Sequence, residues 1–284
     1  MSKVEKLLDV KAELAEGPVW DADNSEILWV DILKGEINRV DLMGKKSDTL
    51  KLDQPVGAIA LTEKGRVVAA TPIGLVDALT GVEVSTFSNP DPKVRMNDGK
   101  ADPCGRFVGG TMSVGEIERD AGSLWSFSES DPKVLIQNVT ISNGLDWSED
   151  GATMFYVDTP TQKIDAFDYD LSTGEILNQR DHIHIDPLLG APDGMCIDSE
   201  GGLWVALWGG SAVIRIFDGK IEEKVDIPAR QVTCVTFAGG DLDYLIVTSA
   251  SDGLKDRSEN DGDIFIFQPG VTGKEPNRLG NWAE

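Results

Sequence analysis

Four short segments of the 284-residue chain set an oxygen-bearing side chain beside glycine: Glu16-Gly17-Pro18, Asn97-Asp98-Gly99, Asn143-Gly144 and Asp193-Gly194. Singly, each reads as a turn, because Asn, Asp and Gly are the residues tight turns select. Together they say more. Each stands just ahead of an apolar run suited to a strand, and turn chemistry has no reason to put a carboxylate or amide in the same slot four times. Glu, Asn and Asp are hard oxygen ligands of the kind Ca²⁺, Mg²⁺ or Mn²⁺ prefers. A site containing Glu16 and Asp193 would bring two negative charges to one divalent cation.

Other chemistries find less support. His182 and His184 sit two apart and as a strand would share one face, a pattern that suits a loop or sheet edge better than a soft-metal site. Asp21-x-Asp23-x-Ser25 opens like a calcium loop, but Glu26 stands where glycine is needed and Ile32 where the bidentate Glu belongs. There is no G-x-S-x-G elbow, H-E-x-x-H, Walker loop or dinucleotide fingerprint. Cys104, Cys196 and Cys234 are an odd number, lie far apart and lack zinc spacing, so they are expected to be reduced and mostly buried.

The elements that would hold the four segments announce themselves by repetition. Thirty Gly, thirteen Pro and many short apolar runs describe strands joined by tight turns. One phrase recurs: a polar turn, an aromatic or β-branched strand, a small-residue turn and a second strand. Its copies begin at Asp21, Thr62, Asp102, Ser148, Asp198 and Gly240, and lead to strands at Gly35–Val40, Gly74–Asp77, Gly122–Phe127, Lys163–Phe167, Ala212–Ile216 and Gly262–Phe267. A spacing of about 40 to 50 residues is the arithmetic of six four-stranded blades, an all-β six-bladed propeller occupying residues 1–284 as one domain. Stacking blades around an axis buries both faces of sheets too small to be stable alone. Loops at one end of the axis converge, so the segments before the inner strands meet, and a metal site is expected in the centre.

Charge narrows the partners. Forty-nine Asp and Glu against 26 Lys and Arg give a net charge of −23, which opposes binding to nucleic acid or to an anionic membrane. The acids not assigned to a cation, such as Glu222, Glu223, Asp256, Glu259 and Asp261, are expected to form a solvated rim. No apolar run reaches the roughly 18 residues of a membrane span, and acidic residues interrupt the N-terminus where a secretory signal would be apolar. The expected location is the cytoplasm, as a monomer or weak homo-oligomer.

The motifs Glu16-Gly-Pro-Val-Trp20, the run from Arg95 to Met112, Gly122-Ser-Leu-Trp125, Ser142-Asn-Gly-Leu-Asp-Trp-Ser148, Tyr156-Val-Asp158 and Pro192-Asp-Gly-Met-Cys-Ile-Asp198 resemble, in order and over nearly the whole chain, the senescence marker protein/gluconolactonase/luciferin-regenerating enzyme family. That resemblance implies a six-bladed propeller with one divalent cation in its channel, and hydrolysis of sugar-acid lactones. It places metal ligands on Glu16, Asn143 and Asp193 and substrate contacts on Arg95 and Asn97. Glu116 is its counterpart to a further acid near the channel mouth, in a loop that is shorter and differently spaced here. The family uses calcium, zinc, manganese, magnesium or iron, which leaves the ion open.

The expected activity is therefore a lactonase with a small-molecule sugar lactone as its partner. The cation would polarise the lactone carbonyl, Arg95 and Asn97 would stabilise the oxyanion, and Asp193 would assist attack by water. Two alternatives use the same channel: an organophosphate hydrolase, and a calcium-binding protein without catalysis.

Overall fold

A computed structural model describes residues 3–129 and 131–283. Within them, 24 strands form six four-stranded antiparallel sheets, and the only helices are three single turns of 3₁₀ type. Among the described residues no helix is long and apolar enough to cross a membrane. The sheets are the blades of a propeller. In blade one the strands are Ala15–Asp21, Glu26–Asp31, Glu36–Asp41 and Lys46–Lys51. Burial falls from the first strand, almost wholly buried, to the fourth, almost wholly exposed. First strands of neighbouring blades lie against one another around the axis.

The core is divided by seam. Each of six apolar clusters fills the space between two adjacent blades: Trp204 with Phe237 and Phe265 between blades five and six, Leu28 with Ile59 between one and two, Trp147 with Val108 and Leu124 between three and four. A blade therefore needs apolar residues on both faces, which is why its middle strands read as continuous runs such as Ile27-Leu-Trp-Val30 rather than alternating ones. The repeated phrase corresponds to the second and third strands of every blade.

Two features lay outside the repeat. Glu5–Leu8 pairs antiparallel with Ile264–Phe267, so the first strand of the chain completes the last blade and closes the ring. Beyond Phe267 the chain crosses the lower face of the propeller. There Lys274 Nζ reaches the carbonyls of Trp147 and Ser148, Asn277 Nδ2 that of Ala101, and Trp282 Nε1 that of Gly105.

The acids are not all solvated. Asp102 and Asp198 are buried at blade turns, accept backbone N–H groups and pair with Arg106 at 2.6 Å and Arg215 at 2.7 Å. Asp261, expected at the rim, is buried instead. It accepts the Arg230 and Ser258 amides and pairs with the Arg230 guanidinium at 2.6 Å, which holds its carboxyl down at about 2 against the opposing effect of burial. Glu222 lies against Arg215. Cys196 and Cys234 are buried and free, and Cys104 is free and exposed. His182 and His184 lie on the outer strand of blade four, His182 against Phe155 and His184 beside Asp181.

Candidate functional site

Each predicted segment lies inside the first strand of its blade rather than before it. Glu16 belongs to Ala15–Asp21, Arg95 and Asn97 to Val94–Ala101, Asn143 to Ser142–Trp147 and Asp193 to Ala191–Ile197. The pairing of these strands with the second strand breaks at one place in each. Asn97-Asp98, Asn143-Gly144 and Asp193-Gly194 are bulges in which two residues oppose one, and Gly17-Pro18 and Thr233-Cys234 repeat the pattern. A bulge bends the strand and re-aims a side chain; here it turns Asn97, Asn143 and Asp193 to the axis. Glu16 differs, standing one residue ahead of its bulge, opposite Val30.

The glycines that follow have a steric role. A Cβ on Gly144 would come within 2.5 Å of the Asp193 carbonyl, and one on Gly194 within 2.3 Å of Cys234 Sγ. Without side chains, the inner strands of blades four, five and six approach closely enough to bring their bulges together. Asn-Gly and Asp-Gly, which look like turn dipeptides, are axial packing positions.

A buried acid, Asp31, and a half-buried one, Asp158, fix the approach to these strands. Asp31 accepts the amides of Glu13 and Leu14 at 3.0 and 3.2 Å, and Asp158 accepts those of Thr140 and Ile141 at 3.1 and 2.9 Å. They anchor the backbone just ahead of Glu16 and Asn143.

Glu16, Arg95, Asn97, Asn143 and Asp193 line one cavity of about 340 Å³, with Trp208, Met112 and Ile117 as apolar wall. Its size is that of a small-molecule site. Glu116 is exposed, while its neighbours Gly115 and Ile117 line the cavity. A polar relay sets the amides. Thr159 Oγ1 donates to the Pro192 carbonyl at 2.9 Å and accepts from Asn143 Nδ2 at 2.8 Å, so Asn143 presents Oδ1 inward. Asn97 Nδ2 donates to that Oδ1 at 3.1 Å and to the Ser142 carbonyl at 2.8 Å, while its own Oδ1 accepts from Arg95 Nη1 at 2.7 Å. Arg95 makes its hydrogen bonds from Nη1 alone among the described residues. Its other nitrogens are left to the cavity.

Electrostatics sharpens the picture. Burial, then repulsion from Asp98, pushes the Glu16 carboxyl up to about 8. Burial, then the charges of Glu16 and Asp98, raises Asp193 well above the carboxylate range. Burial brings the Arg95 guanidinium down to about 10, opposed by Glu16 and Asp252. Asp193 Oδ1 is buried with no hydrogen-bond partner. Mutually repelling carboxyls, one with an acceptor lacking a donor, beside an amide oxygen turned inward, form a hard-oxygen set that fits a divalent cation. Among the described residues no three His, Cys, Asp or Glu side chains gather as a metal cage; the set is two carboxylates and an amide.

Three participants escaped sequence reasoning. Thr159 sits on a 3₁₀ turn after the second strand of blade four, Asp252 beyond the second strand of blade six, and Asp98 in the second position of its bulge. Only Asp98 had a local signal, its place between Asn97 and Gly99.

The sequence pattern of the SMP-30/Gluconolactonase/LRE-like region matches residues 14–251. Regucalcin from Xenopus laevis is 38% identical over 291 residues, covering 96% of this chain and 97% of that protein. Among solved structures, a calcium-binding protein, regucalcin, from Agrobacterium tumefaciens has a TM-score of 0.91 at 29% identity over 98% of this chain and 97% of that one. A luciferin-regenerating enzyme has a TM-score of 0.87 at 31% identity, over 99% and 100% of the two chains. With a match running from the blade-one segment to the end of the second strand of blade six, and identity of this order along the full length, the chain belongs to the SMP-30/gluconolactonase/luciferin-regenerating enzyme family.

Proposed function

We propose that the protein is a divalent-cation-dependent hydrolase of sugar-acid lactones. The observation that carries this reading is Asp193 Oδ1, a buried acceptor without a donor, in a cavity shared with Glu16, Asn143 and Arg95. Family membership supports the lactone as substrate class. Glu16, Asn143 and Asp193 would hold the cation, which when bound supplies Lewis-acid polarisation of the lactone carbonyl. The description of the Agrobacterium neighbour as calcium-binding makes calcium the first ion to try.

The chain's own residues do the rest. Arg95 donates from its free nitrogens to the oxygen on which charge develops, and its fixed fork orients the sugar. Asn97 holds Arg95 through Oδ1 and Asn143 through Nδ2, and meets substrate when one of its N–H groups is released from these partners. Asp193, which lines the cavity, receives a proton from the attacking water and the departing ring oxygen takes one up, the hold of Asp193 on the cation lowering its basicity relative to the cation-free protein. Trp208 and Met112 offer an apolar wall to the C–H face of the ring, and Glu116 meets the sugar at the mouth. The product is an open-chain aldonate.

The test is a pH-indicator assay of aldonolactones on chelator-treated protein refilled with individual divalent ions, with a phosphotriester in the panel for the organophosphate alternative. Cation-dependent acceleration on at least one lactone is expected. Cation binding without acceleration on any substrate would favour the calcium-binding reading, which the name of the same neighbour supports.

A further inference from the structure

Below the cavity the same inner strands continue toward the lower mouth. Val94–Ala101 passes from Asn97 at the cavity to Lys100, and Ser142–Trp147 from Asn143 to Asp146. Lys100 and Asp146 line a second space of only about 50 Å³, roofed by the C-terminal segment at Lys274–Asn277. Lys100 Nζ donates to Asp146 Oδ2 at 3.0 Å and to the Met195 carbonyl at 2.7 Å. Asp98, between the two levels, is buried, accepts the Gly99 amide at 2.7 Å, and feels Lys100 as the opposite charge acting on it most strongly.

Four carboxyls thus descend the axis, Glu16 and Asp193 above, Asp98 and Asp146 below. Above, Glu16 feels the Arg95 guanidinium without a salt bridge to it among the described residues, whereas below, Asp146 is in direct contact with an ammonium carried by the neighbouring strand. An ammonium with carboxylate and carbonyl oxygens at 2.7 to 3.0 Å has the surroundings of a small monovalent ion held by oxygen ligands. Its stem comes from the strand that also carries Asn97, so it cannot leave.

We infer that Lys100 is a tethered second cation that limits the channel to a single divalent ion at the upper level. This rests on the proposed upper site. Removing the ammonium while keeping the stem leaves Asp146 and the Met195 carbonyl facing a vacated position, with the Asp98 charge acting on the same place from the third blade. Oxygen ligands from blades four and five, released from their charge, would then take up calcium with water completing its shell.

The experiment counts bound calcium per chain, by equilibrium dialysis and elemental analysis, for wild type, Lys100→Met and Lys100→Met/Asp146→Asn, with thermal melts in chelator and in calcium. The expected counts are one, two and one, and Lys100→Met should melt lower than wild type in chelator and gain more from calcium. The increment from wild type to Lys100→Met is the test. An equal count in the two proteins, a wild-type count of two, or a Lys100→Met protein that stays unfolded in saturating calcium would overturn the inference. A wild-type count of zero would sink the upper-site reading alone, and the increment would still decide the role of Lys100.

Discussion

At the upper end of the channel Asp193 Oδ1 is buried without a donor, whereas at the lower end Asp146 Oδ2 receives Lys100 Nζ at 3.0 Å and the Ile197 amide at 3.2 Å. The upper cavity measures about 340 Å³ and the lower about 50 Å³. Burial raises the upper carboxyls toward neutrality. Burial also opposes the Lys100 ammonium, but Asp146, the Cys196 and Cys234 thiols and Asp98 together outweigh it and push the amine's pKa up. Both ends are assembled from the same inner strands, a few residues apart. What separates them is the bulge, which gathers like charges above and lets the strands resume regular pairing below. One end is organised for a ligand and the other for stability.

If that division holds, substitutions at the two ends should fail in opposite ways. Asp193→Ala should lower lactone turnover by about 10³-fold or more and abolish cation binding. Its melting temperature in chelator should equal or exceed that of wild type, because an uncompensated buried carboxyl costs stability; a large drop would erase the contrast. Asp146→Ala should do the reverse. It leaves the Lys100 ammonium with a carbonyl alone, and should destabilise by about 2–3 kcal/mol, discounted from the cost of breaking a fully buried pair because both side chains keep some exposure. Urea unfolding reads this directly, with cation affinity per folded molecule near wild type.

Thr159→Val tests the upper end more finely. Without the hydroxyl, Asn97 Nδ2 alone holds the Asn143 amide, and cation affinity should fall about 10- to 100-fold at nearly unchanged melting temperature. Unchanged affinity would mean that Asn97 and packing are enough to set Asn143. The smallest effect is a pH dependence. Glu16 titrates near 4.5 when free and about 8 when folded without a cation. The folded state therefore holds the extra proton, and cation-free stability should decline as pH rises through that interval. Cation affinity should rise over the same range as the ion displaces the proton. Calorimetry in buffers of different ionisation enthalpy would detect the released proton; zero release near neutral pH would show that Glu16 is already charged.

The blades were legible because the seams demand apolar residues on both faces of the middle strands, which makes runs such as Ile27–Val30 and Leu203–Leu207 repeat at a fixed spacing. Glu16, Asn143 and Asp193 were legible as a recurrent oxygen beside glycine. Their placement was not. A bulge and a turn select the same dipeptides, and only the close approach of Asp193 O to Gly144 distinguishes them. Thr159 had no signal, since its role depends on Pro192 and Asn143, both distant in sequence. Asp261 sits in a polar segment like any solvated acid, and it is buried because Arg230 from another loop covers it.

The pairing of Glu5–Leu8 with Ile264–Phe267 sets an order on biosynthesis. At the ribosome's roughly 5–20 residues per second, the closing strand waits on the order of ten to fifty seconds for its partner. Blades one to five can stack as they emerge, while blade six lacks its outer strand until the chain's beginning returns to it. Ring closure joins residues at opposite ends of the chain and is expected to be the slow step of folding. Circular permutants with new termini between two blades would place both partners of that step close in sequence, and should refold faster than the natural order.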